Sequence, residues 1–225
     1  MSGRSPRWFN DFDRLWEPNF ADNSWKQVIW CCQNRFIPST WAVGDQLNMT
    51  IDGDDYPIDI IGMNHDNYIY SSKKAPLTFQ LHPCYDTPYR IFTTAPTSAS
   101  WKDSDMRQTS LPAIMALMPE EVQAAIRVVE KYTPSSGLTD DKLFVLSKAE
   151  FTGNTVSSYG TQYAYYAAGN TPVKTRRINT TKRNHWTRDT DPDNAVNFLY
   201  IDTTGAIASK KVTSAHMYVA LAFCF

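Results

Sequence analysis

The last seven residues of this 225-residue chain, Val219-Ala220-Leu221-Ala222-Phe223-Cys224-Phe225, are apolar at every position. Successive side chains of a strand point to opposite faces. Val219, Leu221 and Phe223 would therefore share one face, and Ala220, Ala222 and Cys224 the other. A strand apolar on both faces belongs at the centre of a buried sheet. The stretch Val212 to Phe225 is accordingly read as closing strands, the last of them central, and the rest of the chain has to flank and cover it.

The flanking candidates are short. Gln46 to Ile51 and Tyr56 to Met63 read as two strands joined by the turn Asp52-Gly53-Asp54-Asp55, a strong hairpin signal. Asn64-His65-Asp66-Asn67 is a polar turn, and Leu77 to Leu81 a further strand. Leu143 to Leu146 follows the turn residues Thr139-Asp140-Asp141, and Phe198 to Asp202 runs into Thr203-Thr204-Gly205.

Ser24 and Gln27 have capping-box spacing, and Trp25, Val28, Ile29 and Cys32 then recur at helical period, which predicts a helix to Gln33. Helical character returns near Ser104, interrupted by Pro112. Glu120 to Lys131, opened by Pro119, reads as the best helix, with Val122, Ala125, Ile126 and Val129 inward. Pro83 to Ala99 reads as a long loop, and Phe151 to Asp193 shows little regular pattern. A mixed order of this kind predicts an α+β fold: a small mixed or antiparallel sheet, two or three helices and long loops. Residues 24–225 form one domain on this reading. Residues 1–23, with Trp8, Phe12 and Trp16, form an aromatic arm that either docks on a neighbouring subunit or packs on its own domain.

Lys plus Arg number 22 and Asp plus Glu 23, a balance that argues against a nucleic-acid coat. No apolar run approaches the ~18 residues of a membrane span, and Met1-Ser2-Gly3-Arg4 has no apolar stretch behind it to make a signal peptide. The cysteines Cys31, Cys32, Cys84 and Cys224 form no paired framework and are read as reduced, buried thiols.

The usual phosphate-loop, dinucleotide, zinc-protease and nucleophile-elbow motifs are missing, so no catalytic residue and no cofactor is assigned. His82-Pro83-Cys84 offers two metal-ligating side chains, but a structural histidine is favoured over zinc. Asp189, Asp191 and Asp193 stand at the first, third and fifth places of a calcium-loop count. The sixth is Asn194 where a glycine is needed and the twelfth is Tyr200 where a glutamate is needed, so a solvated acidic turn around Pro192 is set against calcium. Lys174, Arg176, Arg177, Lys182, Arg183 and Arg188 surround His185 and Trp186, and a solvated loop or charge-paired contact is preferred to nucleic-acid binding. Gly160 to Tyr166 is a tyrosine-rich run, suited either to a recognition loop or to the core.

Six segments in order carry a resemblance. They are Trp101 with Ser104-Asp105-Met106-Arg107, Leu117 to Val122, Asp141 to Ser147, Gly160 to Ala164, Trp186-Thr187-Arg188 and Ala222-Phe223-Cys224. Together, from about Trp25 onward, they resemble the bacterial and phage domain of unknown function 6273, which looks related to the formylglycine-generating-enzyme branch of the C-type-lectin-like superfold. The resemblance implies a lectin-like domain in which Trp101, Arg107, Trp186 and Arg188 define the fold, a buried Arg tying loop carbonyls with its five donors, and it carries over no catalytic residue. The family's closing Arg-Pro pair and its double Trp are absent here, and Cys84 and Cys224 match no copper-site motif.

The expectation is a non-enzymatic virion protein, made in a bacterial host's cytoplasm, assembling on capsid, tail or baseplate with other virion proteins and copies of itself. Trp8, Phe12 and Trp16 would serve docking. The alternative is a host-attachment module binding surface glycan through Tyr163, Tyr165, Trp186 and Arg188.

Overall fold

Ser24 caps the first helix, α1 (Trp25–Gln33): its hydroxyl accepts the Gln27 amide hydrogen while the Gln27 side chain takes the Ser24 amide. The computed structural model describes residues 15–153 and 160–225. After α1 come β1 (Gln46–Ile51) and β2 (Asp54–Met63), joined through Asp52 and Gly53, both at positive φ. That two-residue turn matches the twist of the strands it joins. Next are β3 (Leu77–Leu81), a long irregular stretch, a turn at Met106–Ser110, and the short helices α2 (Leu111–Met115) and α3 (Glu120–Ala125). The chain continues through β4 (Val129–Thr133), β5 (Gly137–Asp141), β6 (Leu143–Val145), α4 (Lys148–Thr152) and α5 (Ala164–Ala167). It closes with β7 (Lys174–Thr175), β8 (Lys182–Arg183), β9 (His185–Asp191), β10 (Asn194–Ile201), β11 (Ile207–Lys211) and β12 (Leu221–Cys224).

The main sheet has the order β1-β2-β3-β12-β6, every pair antiparallel. The closing strand is central and buried, as its composition requires. The fold is α+β, with small antiparallel sheets and, among the described residues, five short α-helices where two or three were expected. The difference comes from α4 and α5, single turns too short to show a period.

The register divides the main sheet into two unlike faces. Ile60, Phe79, Phe223 and Leu143 lie across from one another on one face. Trp25 of α1 packs edge-on against Phe79 there, 5.5 Å between ring centres. The opposite row is Asp59, Gln80, Ala222 and Phe144. It is equally buried, yet it carries Asp59, Thr78 and Gln80, which need polar partners from the layer above.

Four expectations are corrected. The helix predicted over Glu120–Lys131 ends at Ala125, because Ile126 takes extended backbone angles and Val129–Thr133 pairs with β5. The intervening β-branched and aromatic residues favour the ladder over more helix. Thr139-Asp140-Asp141 is that partner strand and not a turn. Within Phe151–Asp193, His185–Asp191 is a strand of the sheet β11-β10-β9. Val212 to Ala220 is irregular, so only Leu221–Cys224 forms the last strand.

Of the aromatic arm, Trp8 and Phe12 lie outside the described residues. Residues 15–23 pack on the domain: Phe20 is buried edge-on against Trp41, and Asn23 ties the carbonyls of Glu17, Asn19 and Phe20. Trp16 is half-buried beside Phe36.

Candidate functional site

The second face of the sheet is completed by charge. In β4 the inward residues are Val129, Lys131 and Thr133, so the alternation aims a lysine at the interior. Its ammonium uses all three donors, to Asp66, to Glu150 Oε1 at 3.1 Å and to the Tyr163 hydroxyl at 2.8 Å, and lies 3.8 Å from the centre of the Phe144 ring. Glu150 is positioned by a capping box on α4: its carboxylate accepts the Ser147 amide while the Ser147 hydroxyl accepts its own. From β9, the Arg188 guanidinium grips Glu150 in a two-pronged contact and donates to the carbonyls of Val145 and Tyr132. Asp66 accepts hydroxyl hydrogens from Thr78 at 2.5 Å and Tyr163 at 2.9 Å, with the Cys224 thiol 3.4 Å away.

Two carboxylates and two cations thus balance in a fully buried cluster. Burial alone would raise the carboxyl groups, but Lys131 holds Asp66 well below the usual range, and Arg188 with Lys131 brings Glu150 to about 2. Burial would likewise lower Lys131, and the two carboxylates more than reverse it. Burial and the Asp66 charge push the Tyr163 hydroxyl and the Cys224 thiol far up. All six groups therefore keep one protonation state near neutrality. Over the cluster opens a cleft of about 280 Å³, reached past His65, Asn67, Lys74, Glu130 and Thr161. His65 stacks on Tyr163, ring centres 4.0 Å apart.

Gly62 makes that stack possible. A Cβ there would sit 2.9 Å from Tyr163 Cδ1 and 3.1 Å from His65 Cβ. Gly62→Ala is expected to destabilise the protein by about 1–3 kcal/mol, read as a lower urea midpoint with unchanged slope.

A second buried cluster surrounds Asp59, which meets His82 at 3.0 Å, Gln46 at 2.7 Å and the buried Lys174 ammonium at 3.7 Å. Above it the Tyr166 hydroxyl donates to Gln80. His82 is therefore an aspartate partner. Cys84 is a buried thiol pushed up to about 12 by burial, so the two are not a ligand pair.

Several residues are enclosed where the glycan-binding alternative needs them exposed. Tyr163, Tyr165, Trp186 and Arg188 are interior side chains, not a recognition surface. Tyr165 packs edge-on against Tyr166, and the Trp186 indole donates to the Tyr89 carbonyl. Only Tyr163 and Arg188 come together, in the charged cluster. The run reads as a loop, but its tyrosines are what the polar sheet face needs above it. Much of the basic stretch is paired within the chain: Arg176 and Arg177 pair with Asp86, Arg177 with Asp54, and Arg183 lies over the Tyr218 ring. Asp189 accepts the Lys148 amide, and Asp191 accepts from the Asp193 amide and Ser209. Among the described residues no group of three or more His, Cys, Asp or Glu side chains is placed to hold a metal ion, these aspartates included. Trp101 and Arg107 converge on one carboxylate, Asp141, at 2.9 and 2.5 Å.

Asp66, Lys131 and Glu150 are the residues that sequence reasoning misses. The Ser147-x-x-Glu150 spacing and the alternation of Val129 to Thr133 were the available signals.

His185 opens β9 fully buried, its Nδ1 facing the Arg183 carbonyl and its Nε2 without a polar partner among the described residues. Burial pushes its pKa down to about 3, far below an unfolded value near 6.5. As the pH drops below that unfolded value the unfolded chain takes up a proton the folded one refuses, so stability falls as the pH falls. Between pH 7 and pH 5 this residue should remove about 2 kcal/mol, and His185→Leu should flatten that part of a urea-measured stability profile.

The family model described as Domain of unknown function (DUF6273) matches residues 89–225, more than half of the chain. The chain belongs to this family. No curated protein and no solved structure matches it. The match begins well after Trp25, where the resemblance was expected to start. It therefore includes Lys131, Glu150, Tyr163 and Arg188 of the DUF6273 region but leaves out Asp66 and the strands β1, β2 and β3. In this chain the preceding segment completes both the sheet and the charge balance.

Proposed function

We propose that this DUF6273 chain is a non-enzymatic structural protein of a phage particle. It is made in the bacterial host's cytoplasm and assembles on capsid, tail or baseplate, with other virion proteins and copies of itself, through a lectin-like domain. The observation that carries the non-enzymatic part is the charged cluster. Its acids, bases and hydroxyl groups are committed to one another at fixed protonation, an arrangement that locks chain segments together. An acid–base catalyst needs a group poised to exchange its proton near the working pH. The phage assignment rests on the resemblance, and the docking role on the aromatic load of Trp8 and Phe12. Aromatic side chains of this kind anchor interfaces.

Because residues 15–23 help close the core, the arm to test is residues 1–14. The full chain is expected at fixed stoichiometry in purified particles of the phage that encodes it. A chain lacking residues 1–14 should keep its circular dichroism and melting temperature and be lost from particles. Normal incorporation of the shortened chain would remove the docking role, and absence of the full chain from particles would overturn the proposal.

A further inference from the structure

Between the end of α1 and the turn after Tyr68 lies a cavity of about 310 Å³, at the lower end of the size range for small-ligand sites. Ile29, Tyr68 and Phe225 provide its apolar wall, and Arg35, Lys73 and Arg127 its charge. Among the described residues no acidic side chain lines it. Among the described residues none of these three cations has an ion pair, although Arg107, Arg176, Arg177 and Arg188 all do. Three cations gathered around one cavity form a local positive field.

The cations are also held in place. The Arg35 and Arg127 guanidinium carbons lie 5.8 and 5.5 Å from the centre of the Tyr68 ring, within cation–π range. The Tyr68 hydroxyl is pinned to a main-chain oxygen of Phe225 at 2.9 Å, and Arg35 donates to the Lys74 carbonyl at 3.1 Å. Arg35 follows α1 at φ 54°, the left-handed residue of a helix end in which the Arg35 and Phe36 amides donate to the carbonyls of Cys32 and Cys31, so its backbone is fixed by the fold.

We propose that this cavity binds a compact anion bearing a carboxylate or phosphate, its charge taken by Arg35, Lys73 and Arg127 and its body resting on Ile29 and Tyr68. Guanidinium forks suit both groups through paired hydrogen bonds. The proposal is independent of the assembly reading, and failure of either leaves the other standing.

Calorimetric titration of the full chain at low salt tests it, with inorganic phosphate and glucuronate as separate probes and glucose as the neutral control. Saturable binding of at least one anion, and none of glucose, is expected. Arg127→Gln and Arg35→Gln should each weaken binding about tenfold or more. Lys73→Gln, at an exposed position, should weaken it in the same direction. Arg183→Gln, outside the cavity, should leave it unchanged. The cavity variants should melt with the parent protein in the absence of anion. Preference for phosphate or for glucuronate assigns the anion class. Binding of neither probe, or binding that the cavity variants leave intact, overturns the proposal.

Discussion

Arg188→Met is expected to destabilise the protein by about 3–5 kcal/mol, because it leaves Glu150 buried without its main counter-charge. Arg188 is fully enclosed, donates twice to Glu150 and closes the carbonyls of Val145 and Tyr132. The substitution removes those donors together and gives the cluster a net negative charge. Urea unfolding of the single variant, of Glu150→Gln and of the double variant measures the effect. The double variant restores charge neutrality, since Lys131 and Asp66 still pair. It should therefore be less unstable than the sum of the singles, by a coupling energy of about 1–3 kcal/mol. Additive losses would mean that the two residues stabilise the fold independently.

Trp101→Ala should cost about 3–5 kcal/mol for a different reason. The indole is one of the largest fully enclosed side chains, and its ring nitrogen donates to Asp141. Truncation opens a large cavity and withdraws one of the donors that, with Arg107 and Thr139, satisfy that buried carboxylate. Trp101→Phe retains most of the apolar contact and loses the hydrogen bond, so it should fall between the parent protein and the alanine variant. A loss no larger than that of a surface substitution would show that Trp101 does not organise this part of the core.

What the sequence makes legible is what depends on neighbours close in the chain. The α1 cap, the Asp52-Gly53 hairpin and the doubly apolar β12 each declare themselves in a few residues. Lys131 does not, because its inward aim follows from pairing with β5 and from two carboxylates 65 and 19 residues away. The alternation Leu77-Thr78-Phe79-Gln80-Leu81 is the pattern of a half-exposed strand, yet all five positions are buried. Binary pattern reports the polarity of a face but not whether water or a tyrosine hydroxyl meets it. The same ambiguity explains Tyr163 and Arg188. Residues rich in hydrogen-bonding groups within an unpatterned stretch look like a contact surface, and here their contacts are internal. The cavity around Tyr68 was equally illegible, since its cations come from three separated turns.

The position of β12 bears on how the protein is made. Its neighbours β3 and β6 lie some 140 and 80 residues earlier in the chain. Until the ribosome has delivered residues 221–224, both expose an unpaired backbone edge and part of the apolar layer beneath α1. Pairings this remote form slowly, and open edges invite association with other nascent chains. Completion of the main sheet therefore waits until residues 221–224 have emerged, and shielding by a chaperone during synthesis would be most valuable before that point.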